Sequence, residues 1–196
     1  RVFSAGLDLN CLYGASNDYL KNFWTEFQDL CFLLYGSNKF IIAEINGHAP
    51  AAGTILSLCC DTRVAVNGSK LGLNEAAFGL VCPIWACDMF TSLVGNKVAY
   101  KSLCQGLLFS TEESHKIGLI DHVVNDKTAL NEQVLSLCNE WIKNPGRGAT
   151  KTLLRQANLT RWKNERHIDL NEFVTLLEKE ETQQRIKLYL QSLKKN

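Results

Sequence analysis

The sequence predicts an α/β fold in which strand, glycine turn and buried helix follow one another repeatedly before the chain becomes helical. Three observations predict it. Phe40-Ile41-Ile42-Ala43-Glu44-Ile45 is a run of β-formers ending at Asn46-Gly47, and it leads into AAGTILSLCCD, residues 51–61, a helix opened by small residues and apolar on most sides. The outline then recurs, with Thr62-Arg63-Val64-Ala65-Val66 as a strand, Asn67-Gly68 as a turn and Lys70-Leu71-Gly72-Leu73-Asn74 as a second extended segment. Composition shifts accordingly: strands and glycine turns dominate about the first 80 residues, and charged amphipathic helices about the last 70.

The remaining elements follow in chain order. Arg1-Val2-Phe3-Ser4-Ala5-Gly6 reads as the end of a strand entering a glycine loop; with Met89 the only methionine, the chain is expected to begin inside a longer protein. In residues 16–35, Leu20, Phe23, Trp24, Phe27, Leu30, Cys31 and Leu34 recur at helical spacing behind a Ser16 N-cap, and Gly36 stops the helix. Further helices are expected near 85–93, 96–105, 111–117, 127–143, 147–160, 163–179 and 181–193, with a brief strand at His122-Val123-Val124. The apolar faces of the last two helices (Phe173, Val174, Leu176 and Leu177; Ile186, Leu188, Tyr189, Leu190 and Leu193) either pack back on their own domain or meet another subunit.

Composition limits the function classes. A chain of 196 residues, 46% hydrophobic and with a net charge of +1, supports one sizeable core and offers no footprint for a polyanion. Nucleic acid is therefore not an expected partner, and with no apolar run of bilayer length no membrane span is expected either. The eight cysteines lie in apolar contexts such as Leu58-Cys59-Cys60, without a Cys-x-x-Cys, and read as buried free thiols in a reducing compartment. The four histidines (His48, His115, His122, His167) lack ligand spacing, so no metal is expected. Phosphate-cradling and serine-elbow motifs are missing, and the sequons at Asn67 and Asn158 read as turn or helix-end residues.

Three segments carry candidate chemistry. LGLNEAAFGLVCPIWAC, residues 71–87, contains one charged side chain, Glu75. Burial there would raise its pKa, as a general base acting on a weakly acidic carbon requires; the other reading is a carboxylate at a helix N-terminus satisfied by backbone N–H groups. In FSAGLDL, Gly6 permits a sharp turn that leaves neighbouring N–H groups free, unless the segment is only a strand-to-loop joint capped by Asp8. NGHAPAAG, residues 46–53, either presents the unpaired N–H groups of a helix start or is a turn before a tightly packed helix. Two N–H groups aimed at one point make an oxyanion hole, and with a base they form the machinery for an enolate.

The segments FSAGLDL, NGHAPAAG, CDTRVAV and GLNEAAFGL, in this order and spacing, resemble the crotonase (enoyl-CoA hydratase/isomerase) superfamily, and within it the short-chain Δ3,Δ2-enoyl-CoA isomerases of mitochondria. The similarity continues through GLLFSTEESHKIGLIDHVV to LYLQSLKKN. It implies a crotonase-like spiral of ββα turns over residues 1–125, without the family's front strands, and a C-terminal helical trimerisation region over 126–196. It also implies an acyl-CoA thioester as substrate, no cofactor beyond it, a homotrimer, and a place in fatty-acid β-oxidation in the mitochondrial matrix, with the peroxisome as the alternative. Lys194-Lys195-Asn196 is not the Ser-Lys-Leu peroxisomal address.

By position, the resemblance puts the oxyanion donors on the backbone N–H groups of Leu7 and Ala52, where Ala52 replaces a common glycine, and the proton shuttle on Glu75. The second glutamate of the hydratases would fall on Ile55. Substrate would be bound by Ala5, Gly6, Leu7, Asp8, Leu9, Gly53 and Asn74, with Phe78, Pro83, Ile84 and Trp85 as acyl-chain lining or ordinary core. The rival readings are another crotonase-fold enzyme, a hydratase or thioester hydrolase that brings Asp8 or Asp88 to the site, and a non-catalytic acyl-CoA-binding or truncated protein. Lys151 and Arg155 share a helical face that reads as a solvated basic face or as a phosphate contact.

Overall fold

The computed structural model describes residues 2–193. Arg1 and the Lys194-Lys195-Asn196 end lie outside the described residues. The chain opens with Val2 bridged in parallel to His48, and a short helix α1 (Leu9–Leu12) is capped by Asp8. Helix α2 (Asn17–Gly36) starts at Ser16, whose side chain accepts from the Tyr19 N–H. It buries Leu20, Trp24, Phe27, Cys31 and Phe32, while Leu30, expected on the same face, is exposed.

Two small sheets follow, and the chain passes from one to the other and back. Strand β1 (Ile42–Ile45) belongs to the first sheet and β2 (Ala49–Pro50) to the second. Helix α3 (Ala52–Leu58) returns the chain to the first sheet as β3 (Thr62–Val66), and β4 (Lys70–Gly72) enters the second. Because β1 and β3 are parallel, with Ile42 opposite Thr62 and Ile45 opposite Ala65, a crossover between them is required, and α3 provides it. The Asn67-Gly68 turn thus links two sheets rather than closing a hairpin.

A 3₁₀ turn (Glu75–Phe78), α4 (Ile84–Val94) and α5 (Asn96–Gln105) lead to β5 (Phe109–Ser110), which pairs antiparallel with β4. Helix α6 (Thr111–Lys116) starts with a capping box between Ser110 and Glu113, and β6 (His122–Val124) joins β3 in parallel. Helix α7 (Lys127–Trp141) covers that sheet through Leu130 and Leu137, which pack with Val64. The last helices are α8 (Arg147–Glu178) and α9 (Glu180–Leu193).

The two helices expected over 147–160 and 163–179 are one helix of 32 residues. Nothing at the expected join breaks it: Trp162 is buried there, its indole N–H donating to Asp88 at 2.8 Å. Lys151 and Arg155 are not a solvated face. They bind Asp61 at 2.7 and 3.0 Å with all three side chains largely buried, and Arg155 also donates to the carbonyls of Tyr35 and Cys59, so this face of α8 is bolted onto the core. A single core cluster holds Trp24 of α2, Ile55 of α3, Trp85 of α4, Trp162 and Phe173 of α8 and Ile186 of α9. All eight cysteines are free; Cys31, Cys59 and Cys60 are buried as expected, whereas Cys11, Cys104 and Cys138 are exposed on helix surfaces.

Candidate active site

One cavity, of about 310 Å³, receives both glycine-turn segments and Glu75. Its polar side is built at the junction of residues 5–8 with the start of α3. Gly6 takes φ +94°, and a Cβ on it would stand 3.5 Å from the Pro50 carbonyl oxygen and 3.7 Å from the Ala52 nitrogen, so the two turns lie in van der Waals contact. Ala52 is the first residue of α3, where a backbone N–H has no partner within the helix. Among the described residues, neither the Leu7 nor the Ala52 N–H is hydrogen-bonded. Both residues line the cavity.

The residue before Ala52 is strained. Ala51 has φ 49° and ψ −120° and is the one non-glycine residue at positive φ among those described. Such backbone clusters at functional sites. Its own N–H donates to the Gly72 carbonyl at 2.8 Å, and the Gly72 N–H donates to Thr54 Oγ1 at 2.8 Å, so β4 clamps the start of α3 from below.

Glu75 opens the 3₁₀ turn, which Gly79 ends in the left-handed region at φ +75°. The residue is half-buried, yet its Oε2 is sealed from solvent and has no hydrogen-bond partner; Asn74 Oδ1 beside it is in the same condition. Burial raises the Glu75 carboxyl from 4.5 to about 7, its own backbone N–H opposing the shift. Glu75 thus does stand at the N-terminus of a turn beside Asn74, but the backbone leaves its Oε2 without a partner.

Most of the expected lining residues meet here: Ala5, Gly6, Leu7, Asp8, Leu9, Asn74, Phe78 and Pro83 all face the cavity. Three do not. Gly53 faces away, because this part of α3 is pressed against Ser4. Trp85 is a core residue whose indole N–H donates to Asp169 at 3.1 Å, and Ile84 turns to the surface. Leu12, Trp24, Phe27 and Phe173, which form an inner wall, and Val81, Tyr189 and Leu193 at the rim also line the cavity, although the sequence does not mark them as site residues. The one available signal was the apolar faces of α2, α8 and α9, which sequence alone assigns to core or interface.

The rival acids are differently placed. Asp8 lies at the cavity but caps α1, accepting from the Asn10 N–H at 2.9 Å, and the hydrogen bonds from Asn10 hold its carboxyl below the usual range. Asp88 is bound by Arg161 and Trp162 and does not line the cavity. Ile55, which does, supplies no carboxylate. Among the described residues no three His, Cys, Asp or Glu side chains are grouped so as to hold a metal ion, and no helix is long and apolar enough to cross a membrane.

Two short sheets threaded alternately by one chain, with paired free N–H groups and a glutamate whose Oε2 is sealed from solvent on one apolar cavity, define a crotonase-type fold. The chain belongs to the enoyl-CoA hydratase/isomerase family, whose model matches residues 1–196. It is 36% identical to the mitochondrial enoyl-CoA delta isomerase 1 of Mus musculus, over 98% of this chain and 68% of that protein. To the Homo sapiens protein of the same name it is 34% identical, over 98% of this chain and 65% of the other, so it spans about two thirds of the length of these relatives. The crystal structure of human mitochondrial delta3-delta2-enoyl-CoA isomerase superposes with a TM-score of 0.94 at 34% identity, covering 98% of this chain and 76% of that one. An enoyl-CoA hydratase from Bacillus halodurans follows the same fold with a TM-score of 0.86 at 26% identity, covering 95% and 77%.

Proposed function

We propose that this chain is a Δ3,Δ2-enoyl-CoA isomerase that moves the double bond of a 3-enoyl-CoA to the trans-2 position, with Glu75 as its single proton shuttle. The observation that carries the reading is Glu75 Oε2, unpartnered and sealed from solvent, in a residue that lines the same cavity as the unbonded N–H groups of Leu7 and Ala52. The Glu75 carboxylate takes a proton from C2, and the electron pair passes onto the thioester oxygen, where the two N–H groups stabilise the dienolate. Return of the proton to C4 places the double bond between C2 and C3. Asn74 and the loop of residues 5–9 hold the thioester, and Phe78 and Pro83 flank the acyl chain. The apolar surroundings raise the basicity of Glu75 and keep water from the dienolate.

The isomerase relatives support this reading over hydration, as does Ile55, which leaves the cavity without a second carboxylate on α3. The same reading assigns the chain to fatty-acid β-oxidation in the mitochondrial matrix, in keeping with relatives that are named mitochondrial. It also assigns a homotrimer formed by the helical region over 126–196, where Leu153 and Leu154 present exposed apolar side chains. The test is Glu75→Gln, followed by conversion of 3-enoyl-CoA and by acyl-CoA binding. Turnover is expected to fall by at least about a hundredfold with binding retained. Unchanged turnover would exclude Glu75 as the shuttle, and a wild-type chain that binds acyl-CoA but converts none would favour a non-catalytic binding protein.

A further inference from the structure

The cavity has a wet end and a dry end. Of its lining residues, Val81 and Leu193 are 52% and 54% exposed, whereas Trp24, Phe27 and Phe173 are 4%, 8% and 7% exposed and Leu12 is fully buried. The dry end is thus a closed aromatic wall. Trp24 stacks on Phe173 with ring centroids 4.0 Å apart, and Phe27 packs against Trp24 at 5.6 Å.

This wall is tied from behind by one carboxylate. Asp169 Oδ2, in a residue 6% exposed, accepts from Trp24 Nε1 at 2.8 Å, Gln28 Nε2 at 3.0 Å and Trp85 Nε1 at 3.1 Å. Arg166 completes the network by donating to Gln28 Oε1 at 3.1 Å. Asp169 and Phe173 stand one helical turn apart on α8, so the same helix face supplies the anchor and part of the wall. An aliphatic wall could yield to a longer ligand by changing rotamers. Here, turning the Trp24 indole aside would strip a donor from a buried carboxylate, which is a costly rearrangement.

We infer that Asp169 is a positioning residue that locks the Trp24–Phe27–Phe173 wall, and that this wall sets the longest acyl chain the site accepts. The inference rests on the proposed acyl-CoA reading of the cavity. It assigns chain-length selection to a residue that touches no part of the substrate.

The test is a binding series of saturated acyl-CoA esters from butanoyl- to hexadecanoyl-CoA, run beside turnover of 3-enoyl-CoA esters of matching lengths. Wild-type affinity is expected to rise about fourfold with each methylene that enters the cavity and to stop rising at the length that meets the wall. Phe173→Ala moves that break to longer chains. Asp169→Asn and Trp24→Phe blur it, the second removing the anchoring N–H while keeping a ring, so the test stands if Asp169→Asn does not fold. The change falls on KM for long chains, whereas a general loss of structure would lower kcat at every length. A break that stays at the same length in Phe173→Ala, or that stays sharp in Trp24→Phe, overturns the inference, as does a wild-type series with no break. A sharp break in binding without turnover at any length would count against the isomerase reading alone; turnover with an unmoved break would count against the wall alone.

Discussion

Gly53 and Ser4 approach so closely that no side chain fits between them: a Cβ on Gly53 would lie 2.8 Å from the Ser4 carbonyl oxygen and 3.2 Å from the Ser4 Cβ. This contact seats the first turn of α3 on the segment that delivers Leu7, and so sets the relation between the two proposed oxyanion donors.

Gly53→Ala is therefore expected to destabilise the protein by about 1–3 kcal/mol, as overpacking does, and to lower kcat/KM by shifting one donor relative to the other. Gly146→Ala is the control, since a Cβ there meets nothing within 4 Å. Thermal unfolding and turnover of both variants check the expectation; equal behaviour of the two would remove the special role of the Gly53 contact.

Much of this site was legible in the sequence because its parts are local. Gly6, the small residues before α3 and the isolation of Glu75 each announce themselves within a few positions. What was not legible depends on partners far along the chain. Trp85 lies in the same apolar stretch as Glu75, and only the position of Asp169, 84 residues later, turns its indole into the core. Asp169 itself reads as one more polar residue of a charged helix, and Lys151 and Arg155 read as solvated until Asp61 is placed opposite them. The sequence over α8 reads as two helices because no local signal distinguishes one long helix from two short ones, and Trp162 at the expected break is held by Asp88 from another element. The strain at Ala51 had no signal at all, since alanine is not the residue that positive φ favours.

Ala51→Gly is expected to stabilise the protein. An alanine at φ 49° and ψ −120° carries strain of about 1–3 kcal/mol, offset by the roughly 0.5–1 kcal/mol that glycine loses in conformational freedom on folding. A net gain of about 1 kcal/mol should appear in urea unfolding as a higher midpoint with an unchanged slope. A lower midpoint would show that the conformation at residue 51 is not under strain.

Asp61 is the joint between α8 and the body of the fold, binding Lys151 and Arg155 and accepting the Ile41 N–H at 2.7 Å. Asp61→Ala leaves two cations close together in a largely buried place and is expected to cost about 3 kcal/mol. Adding Lys151→Met should recover part of this by removing one of the uncompensated charges. Chemical denaturation of the single and double variants decides it: if the double variant is no more stable than the single, the loss comes from packing rather than from charge.

The raised Glu75 pKa ties stability and activity to the same proton. The folded chain holds this proton up to about pH 7, whereas in the unfolded chain the group loses it near its ordinary value of 4.5. Between those values the folded state carries more protons than the unfolded one, so the Glu75 contribution to stability declines as pH rises through the window, by up to about 3 kcal/mol. Activity runs the other way, because the base must be ionised: kcat/KM should climb with pH and level off above about 7. Glu75→Gln removes both dependences, so above pH 7 the variant is expected to be more stable than the wild type while inactive. Unfolding free energies of both proteins across pH 4–8, set beside the wild-type kcat/KM profile, test the linkage, and a variant less stable than wild type at pH 8 would show that burial does not raise this carboxyl.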